Sequence, residues 1–382
     1  MGDVAVLGAG IVGLAAATAL SRSGHAVTII ERNDKVGQEV TARNSCVVHA
    51  GLYYPKGSLK AQTCVLGRER LYARCRSLGI AHRKTGKLVV ATREAEVRAL
   101  ESILDRGQQN GAGALEIVDA AEVRRREPRV RALAALWSPE TGIVDVHELV
   151  KSYEAEADRL GATLVLGTRV DRLELRGGGW RVHTVSADGE AYAFDSPVVV
   201  NAAGLGALNL AKSTGIPALC AGRRLYPCKG DYFSVAPRLG VLTQHLVYPV
   251  PDAHGLGTHV TFDLGGRFRL GPDTEYVSTP RYDVDPNKAE RFAAAVRSYL
   301  PEVTADLLSP DFAGVRPKLQ GPADGFADFV IEEGSALGAP GLVNLLGIES
   351  PGLTASAEIA ERVAAMVGGH RRQESVSCPR SL

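Results

Sequence analysis

Three glycines near the amino terminus, Gly8, Gly10 and Gly13, have the spacing that lets a backbone grip a pyrophosphate. Gly8 suits a tight turn, Gly10 lets phosphates approach the main chain, and Gly13 permits close packing of helix on strand. Glu31 follows 18 residues after Gly13. A carboxylate there accepts hydrogen bonds from both hydroxyls of an adenosine ribose and repels a 2′-phosphate. The pattern predicts a dinucleotide site, with FAD and NAD sharing the adenosine diphosphate half it reads. Different chemistry is carried by Arg316, set between Val315 and Pro317 among small and apolar residues. Its planar fork matches a carboxylate bidentately, and pairing with a structural Asp or Glu is the other reading.

The elements that must position these groups are legible around them. Asp3 to Leu7 reads as a short buried strand, Gly8 to Gly13 as the turn, and Leu14 to Leu20 as a strong helix former. Gly24 then precedes a second strand, Ala26 to Ile30. Asp195 to Gly204 reads as a late strand ending in a small-residue turn that returns to the cofactor. Leu342 to Gly347 is another buried strand, followed by Ile348 to Thr354 and a helix from Ala355 to Val367. Pro351 and Gly352 at that helix start expose N–H groups to an anion or a flavin carbonyl. A fingerprint beginning at residue 8 with a second nucleotide-proximal segment far along the chain suits an extended FAD. No second G-x-G-x-x-G supports a separate NAD site.

At 382 residues the chain is long enough for two or three domains. Hydrophobic residues at 45% and charged residues at 23% describe a globular protein rather than a disordered one. Lys plus Arg at 44 against Asp plus Glu at 43 leaves a net charge of +1, too weak a field for nucleic acid. The six cysteines form no C-x-x-C pair and no metal-ligand rhythm with the histidines, so neither a structural zinc nor a disulfide framework is expected, and a reducing, cytoplasmic setting fits. The uncharged run Val4 to Leu20 is not a signal peptide, since Asp3 and no basic residue precedes it. No other stretch approaches a membrane span, which leaves peripheral membrane contact open. Arg124 to Arg126, with Glu122 and Glu127, reads as a solvated helix face, and residues 371–382 as a flexible tail.

Longer stretches carry a resemblance. They are Arg43 to Tyr54, Gly57 to Ala61, Gly86 to Thr92, Thr141 to Asp145, Lys229 to Phe233, Tyr248 to Asp252 and Gly314 to Lys318. In this order they resemble the D-amino-acid-oxidase type of FAD-dependent oxidoreductases, and within it the L-2-hydroxyglutarate dehydrogenases. The segment Gly347 to Thr354 is similar to their plant and bacterial branch. The resemblance implies an α/β fold: a Rossmann-like FAD/NAD(P)-binding domain of the glutathione-reductase/D-amino-acid-oxidase type, and a second, antiparallel-sheet substrate domain. The expected FAD domain comprises 1–82, 145–215 and 335–370, and the substrate domain 83–144 and 216–334. In the latter, apolar and polar residues alternate, as in Leu246 to Tyr248 and His259 to Phe262.

The implied activity is FAD-dependent oxidation of an L-2-hydroxy acid, L-2-hydroxyglutarate to 2-oxoglutarate, by hydride transfer to flavin N5, with a quinone or O2 as electron acceptor. An amine or amino-acid oxidase and a glycerol-3-phosphate-type dehydrogenase are alternatives, as is a catalytically silent FAD-binding protein. Such an oxidation needs a base, which an imidazole suits, so His49 and His259 are the catalytic candidates. Arg316 and Lys229 are the substrate cations, with Lys60 and Lys318 behind them, and Tyr54 and Tyr248 offer hydroxyls. The expected FAD contacts are Gly8, Gly10, Ile11, Val12, Gly13, Glu31, Arg32, Thr41, Asn44, Ser45, Val170, Ala203, Gly204, Gly347, Gly352, Leu353 and Thr354. No metal is expected. Relatives of this kind are mitochondrial in eukaryotes, although no clear transit peptide stands in this chain.

Overall fold

The computed structural model describes residues 3–251 and 257–377. Asp252, Cys378 and the end of the expected tail lie outside the described residues. The chain forms two compact units, the first from residues 1–42, 147–226 and 317–382, the second from 43–146 and 227–316.

The first unit is built on a six-stranded sheet in the order Val330–Gly334, Ala339–Leu346, Val198–Asn201, Val4–Leu7, Val27–Ile30 and Thr163–Val165. All neighbours run parallel except the first two, which form a hairpin. The central strands, Val-Ala-Val-Leu and Val-Val-Val-Asn, are fully buried and almost wholly apolar because both faces are covered. On one side the alanine-rich helix Ile11–Arg22 packs against the long helix Gly352–Ser377. That last helix runs seven residues into the stretch read from sequence as tail, whose helix was expected to stop near Val367. An antiparallel meander of Thr168–Arg176, Gly179–Ser186 and Ala191–Ser196 also belongs to this unit. Its Trp180 is fully buried and donates from Nε1 to the Pro340 carbonyl at 2.9 Å.

The second unit carries a large sheet. Its strands lie in the order Glu275–Tyr276, Tyr226–Val235, Phe268–Leu270, Val260–Phe262, Leu246–Pro249, Lys87–Ala91, Ala134–Ser138 and Glu116–Asp119, with Leu308–Lys318 also paired to Tyr226–Val235. The expected antiparallel sheet is in fact mixed, because Leu246–Pro249 runs parallel to Lys87–Ala91. These two strands come from separate chain segments, and a parallel pair needs such a long connection. Leu88, Val247, Val260, Leu270 and Phe233 stand in register on one face and form the core with Phe292 and Tyr299.

All four internal boundaries differ from those read in the sequence: the junctions after 144 and 215 fall after 146 and 226, and the other two move farther. Residues 43–82 belong to the second unit because Val47–Val48 and His82–Arg83 both pair with Gly142–Val144. Residues 317–334 belong to the first, since Val330–Gly334 completes its sheet. Among the described residues no helix is long and apolar enough to cross a membrane. Cys46, Cys64, Cys75, Cys220 and Cys228 are free thiols.

The arginine-rich helix Ala120–Arg126 is only partly a solvated face. Glu122 pairs with Arg125 and Arg126, but the helix ends there and Glu127 turns inward, 1% exposed. Its carboxylate accepts from Gln244 N at 2.9 Å, His245 N at 2.7 Å and His245 Nδ1 at 2.6 Å. Glu127→Ala strands these donors, so it should destabilise the fold by about 3 kcal/mol, read as a lower denaturant midpoint at unchanged slope.

Candidate cofactor and substrate sites

In the first unit the residues read from sequence as a dinucleotide site come together at one sheet edge. Leu7 is level with Ile30 and with Asn201, and Asn201 with Asn344, so the carboxyl ends of four parallel strands lie side by side. The segments leaving those ends carry Gly8 to Gly13, Glu31, Ala203 with Gly204, and Gly347 to Thr354. Open α/β sheets bind ligands at that edge.

The glycines are dictated by close approach. A Cβ on Gly13 would stand 1.9 Å from the Gly8 carbonyl oxygen, and one on Gly8, at φ +103°, 2.7 Å from the Ala202 carbonyl oxygen. Helix Ile11–Arg22 opens behind them with Gly10 as N-cap, no capping side chain and no acidic residue in its first turn. Its positive end is therefore available to an anion, with Thr41 Oγ1 accepting from Ile11 N at 3.1 Å.

Glu31 is buried, and its carboxylate is already shared. Oε2 accepts from Ala9 N at 2.8 Å, and Oε1 from Asn33 N at 2.9 Å and Asn33 Nδ2 at 2.7 Å. A carboxylate has about four acceptor positions. Glu31 thus clamps the glycine turn to the second strand and keeps one position for a ribose hydroxyl. The cradle and this acid fit the adenosine diphosphate half of FAD.

The other expected contacts are placed more variously. Val170 lies in the strand beginning at Thr168, whose N donates to the Glu31 carbonyl at 2.8 Å. Arg32 is half exposed and paired with Glu39, which makes it a poor phosphate ligand. Gly352 opens the long helix, but its own N donates to the Glu349 carbonyl, leaving that role to Leu353 and Thr354. Asn44 and Ser45 belong to the second unit. There the Asn44 Oδ1 accepts from Cys46 N at 2.8 Å, holding Cys46 at φ 58°, and Ser45 Oγ lies 2.9 Å from Tyr232 Oη. Cys46 is the one non-glycine with positive φ among the described residues.

The second unit gathers polar side chains on the sheet face opposite its core. Continuing the register, Tyr248 lies opposite His259, and His259 and Tyr232 flank Gly271, whose N donates to the His259 carbonyl at 3.0 Å. Lys87 is a diagonal neighbour of Tyr248 on that face. The imidazole of His259 lies flat on the Tyr248 ring, centroids 3.4 Å apart and planes 8° apart. Tyr232 stacks on Phe312 at 4.4 Å, and burial pushes its phenol up to about 12.

Arg316 reaches the same face at Gly230. A Cβ there would stand 3.0 Å from Arg316 Nη2 and 2.6 Å from Pro272 Cβ, so glycine is what lets the guanidinium lie on the strand. Three carbonyls hold it: Cys228 O to Nε at 3.4 Å, and Lys229 O and Asp273 O to Nη2 at 3.2 and 2.7 Å. Among the described residues no carboxylate pairs with it and Nη1 has no partner. The guanidinium is pinned by neutral acceptors with its charge uncompensated.

Lys229 differs from expectation. Its strand alternation puts it on the Phe233 face, and Asp231, two residues on, meets its Nζ at 2.8 Å with both side chains buried. Lys288 joins the pair through Asp231 at 2.6 Å, Asp273 at 3.0 Å and Glu275 at 2.7 Å. Lys229 is therefore a neutralised core ion rather than a substrate cation. Lys60 is buried on helix Leu59–Leu78, Lys318 half-buried at a strand end in the first unit, and Tyr54 uses its carbonyl to receive Asn110 Nδ2 at 2.8 Å.

His49 sits beside a group the sequence reading passed over. Desolvation and the nearby Lys87 push its imidazole far down, to about 3, so it stays neutral. Lys87 is itself 1% exposed, and burial lowers its ammonium to about 7. Its Nζ lies 4.6 Å from the Tyr248 ring centroid and 4.8 Å from that of Tyr53. A lysine heading the apolar run Leu88-Val89-Val90 was the available signal.

The family described as FAD dependent oxidoreductase matches residues 3–366 of this chain. The mitochondrial L-2-hydroxyglutarate dehydrogenase of Arabidopsis thaliana is 40% identical, with 95% of this chain and 82% of that protein covered. The L-2-hydroxyglutarate dehydrogenase of Indibacter alkaliphilus is 29% identical, with 94% and 97% covered. Among solved structures, the FAD-bound L-alpha-glycerophosphate oxidase of Mycoplasma pneumoniae has a TM-score of 0.86 at 24% identity, covering 96% of this chain and 94% of its own. Glycine oxidase from Geobacillus kaustophilus has 0.80 at 22%, covering 96% and 95%; these two likenesses concern the fold. With the dinucleotide cradle in place and similarity running along nearly the whole chain, the protein belongs to the FAD-dependent oxidoreductases, within the L-2-hydroxyglutarate dehydrogenase family.

Proposed function

We propose that this chain oxidises L-2-hydroxyglutarate to 2-oxoglutarate and passes the electrons to a quinone or to O2. The observation that carries the reading is Arg316, a guanidinium fixed by three carbonyls with no carboxylate of its own. A substrate carboxylate supplies the missing charge. Bound FAD would supply the acceptor for the hydride, which carries both electrons of the oxidation. The protein's part is to hold the acid and move one proton. Arg316 binds the carboxylate next to the carbinol, and His259, its ring plane fixed by Tyr248, takes the hydroxyl proton. His49 is held neutral and so desolvated that it is a poor proton acceptor near neutral pH, which favours His259 as the base. Glu31 and the glycine turn hold the adenosine half, with Thr41, Ala203, Gly204, Gly347, Leu353 and Thr354 around the same sheet edge.

Anaerobic mixing of the yellow holoenzyme with L-2-hydroxyglutarate, its D enantiomer, glycine and sn-glycerol 3-phosphate tests the substrate directly. Bleaching of the visible flavin band by the L enantiomer alone is expected; bleaching by glycine or glycerol 3-phosphate instead would replace the reading. Mixing the reduced enzyme with O2 and with a soluble quinone then compares the acceptors.

Two variants separate substrate from cofactor. Arg316→Met should lower kcat/KM for L-2-hydroxyglutarate by about 30- to 300-fold, mostly through KM, the worth of a charge-assisted pair. Unchanged kinetics would remove the anchor. Glu31→Ala should weaken FAD retention by about tenfold, measured as flavin released on dialysis, while enzyme refilled with excess FAD keeps its KM.

A further inference from the structure

We propose that Lys87 anchors the second carboxylate of a dicarboxylic substrate and so sets the preference for a 2-hydroxy diacid over a 2-hydroxy monoacid. The inference rests on the reading above that L-2-hydroxyglutarate is the substrate.

Buried lysines are almost always paired, and this unit shows the usual solution in Lys229, which meets Asp231 at 2.8 Å. Lys87 has no such partner. Among the described residues its Nζ meets neither a carboxylate nor a hydrogen-bond acceptor, only the faces of Tyr53 and Tyr248. A second group beside it is also unsatisfied: the Tyr53 hydroxyl is buried with no hydrogen-bond partner. One cationic donor and one hydroxyl donor therefore share a cage whose acceptor the chain does not supply. A carboxylate accepts from both.

The cage lies on the sheet face that carries His259 and Arg316. Four strand spacings of about 4.8 Å separate the strands of Lys87 and Gly230, and the register sets Lys87 level with Ser234, four residues along from Gly230. Their backbones therefore lie ~23 Å apart on a flat sheet, and the side chains must reach inward. Lys87 leans inward over Tyr248, on which His259 is stacked at 3.4 Å, while the guanidinium of Arg316 lies over Gly230 at the other end. The base candidate thus stands between the two cations, as a diacid with its hydroxyl beside one carboxylate requires. A monoacid would fill the Arg316 end and leave Lys87 unpaired.

The surroundings make the anchor responsive to pH. Tyr53 and His49 face it from the segment before helix Leu59–Leu78, Cys64 with Arg68 behind it from that helix, and Tyr248 from the neighbouring strand. Helix Glu94–Asn110 presents the apolar Leu100 and Ile103 to the sheet. Burial raises the Tyr53 and Tyr248 phenols and takes the Cys64 thiol to about 12, so none supplies an anion. A bound carboxylate stabilises the ammonium, so binding a diacid at pH 8 draws a proton from solution.

The test uses the holoenzyme. Glutarate and butyrate serve as non-reacting diacid and monoacid, with binding read from the flavin spectrum and proton uptake from an indicator dye in weak buffer at pH 8. Wild type should take up close to one proton with glutarate and none with butyrate; equal uptake for the two would overturn the proposal. Lys87→Met should weaken L-2-hydroxyglutarate about 30- to 100-fold in anaerobic flavin reduction. The loss for L-2-hydroxybutyrate should be at least about tenfold smaller than for L-2-hydroxyglutarate, and Lys87→Arg should recover part of the diacid preference. Full diacid affinity in Lys87→Met would also overturn it. If wild type is not reduced by L-2-hydroxyglutarate the substrate reading fails, while the glutarate measurement still decides whether Lys87 is a carboxylate anchor.

Discussion

His259→Asn should keep its FAD and its visible spectrum and yet be reduced by L-2-hydroxyglutarate about 10²- to 10⁴-fold more slowly, the usual contribution of a positioned general base. Retention is expected because the glycine cradle and Glu31 belong to the first unit, whereas His259 belongs to the second. Asparagine preserves a short polar side chain but accepts no proton, so the loss should fall on the rate of flavin reduction at saturating substrate rather than on affinity. Stopped-flow reduction across a substrate range separates the two. The same measurement on His49→Asn should show a much smaller change, since an imidazole pushed down to about 3 is already neutral and weakly basic. If His259→Asn is reduced at the wild-type rate and His49→Asn is slowed, the two histidines exchange roles.

Lys87→Met should be more stable than wild type, by on the order of 4 kcal/mol at pH 7. Burial lowers the ammonium from 10.5 to about 7, and every tenfold change in an acidity constant corresponds to about 1.4 kcal/mol. Between those two values the unfolded chain holds a proton that the folded chain does not. Wild-type stability therefore rises with pH from about 7 to 10.5, and the penalty is fully present only below the folded value. Methionine, of similar length and apolar, removes the penalty while filling the space between Tyr53 and Tyr248. Denaturant midpoints at pH 7 and pH 10 give the check, with a large gain at the first and a small one at the second. An equal gain at both would assign the effect to packing, and no gain at pH 7 would mean that Lys87 is better solvated than its burial indicates. A variant that gains stability as it loses diacid affinity shows where an unpaired charge is kept for function.

The cofactor half of the protein was legible in the sequence because its signals are local. Gly8, Gly10 and Gly13 fall within six residues, with Gly13 set against the Gly8 carbonyl in the same turn, and Glu31 directly follows the next strand. Arg316 could be singled out by its apolar neighbours, and the structure supplies the reason, a glycine opposite and three carbonyls around it. Lys229 was misjudged because its partner, Asp231, is revealed only by strand alternation, which puts residues two apart on one face. Lys87 went unremarked for the opposite reason. Its cage comes from Tyr53 and Tyr248, far along the chain in both directions, and no local pattern records that they meet. Tyr54 attracted notice in place of Tyr53 because adjacent tyrosines are indistinguishable until one hydroxyl is seen to be buried.

The alternation of chain segments between the two units has a consequence for biosynthesis. The strand Val4–Leu7 is made almost two hundred residues before its neighbour Val198–Asn201, and Ala339–Leu346 and the helix covering Ile11–Arg22 follow later still. The second unit ends at residue 316, so it has its full complement of strands while the nucleotide sheet still lacks an edge and a covering helix. Nascent chains should therefore acquire protease resistance in the second unit first, and flavin capture should wait until the segment from Ala339 through the helix Gly352–Ser377 has been made.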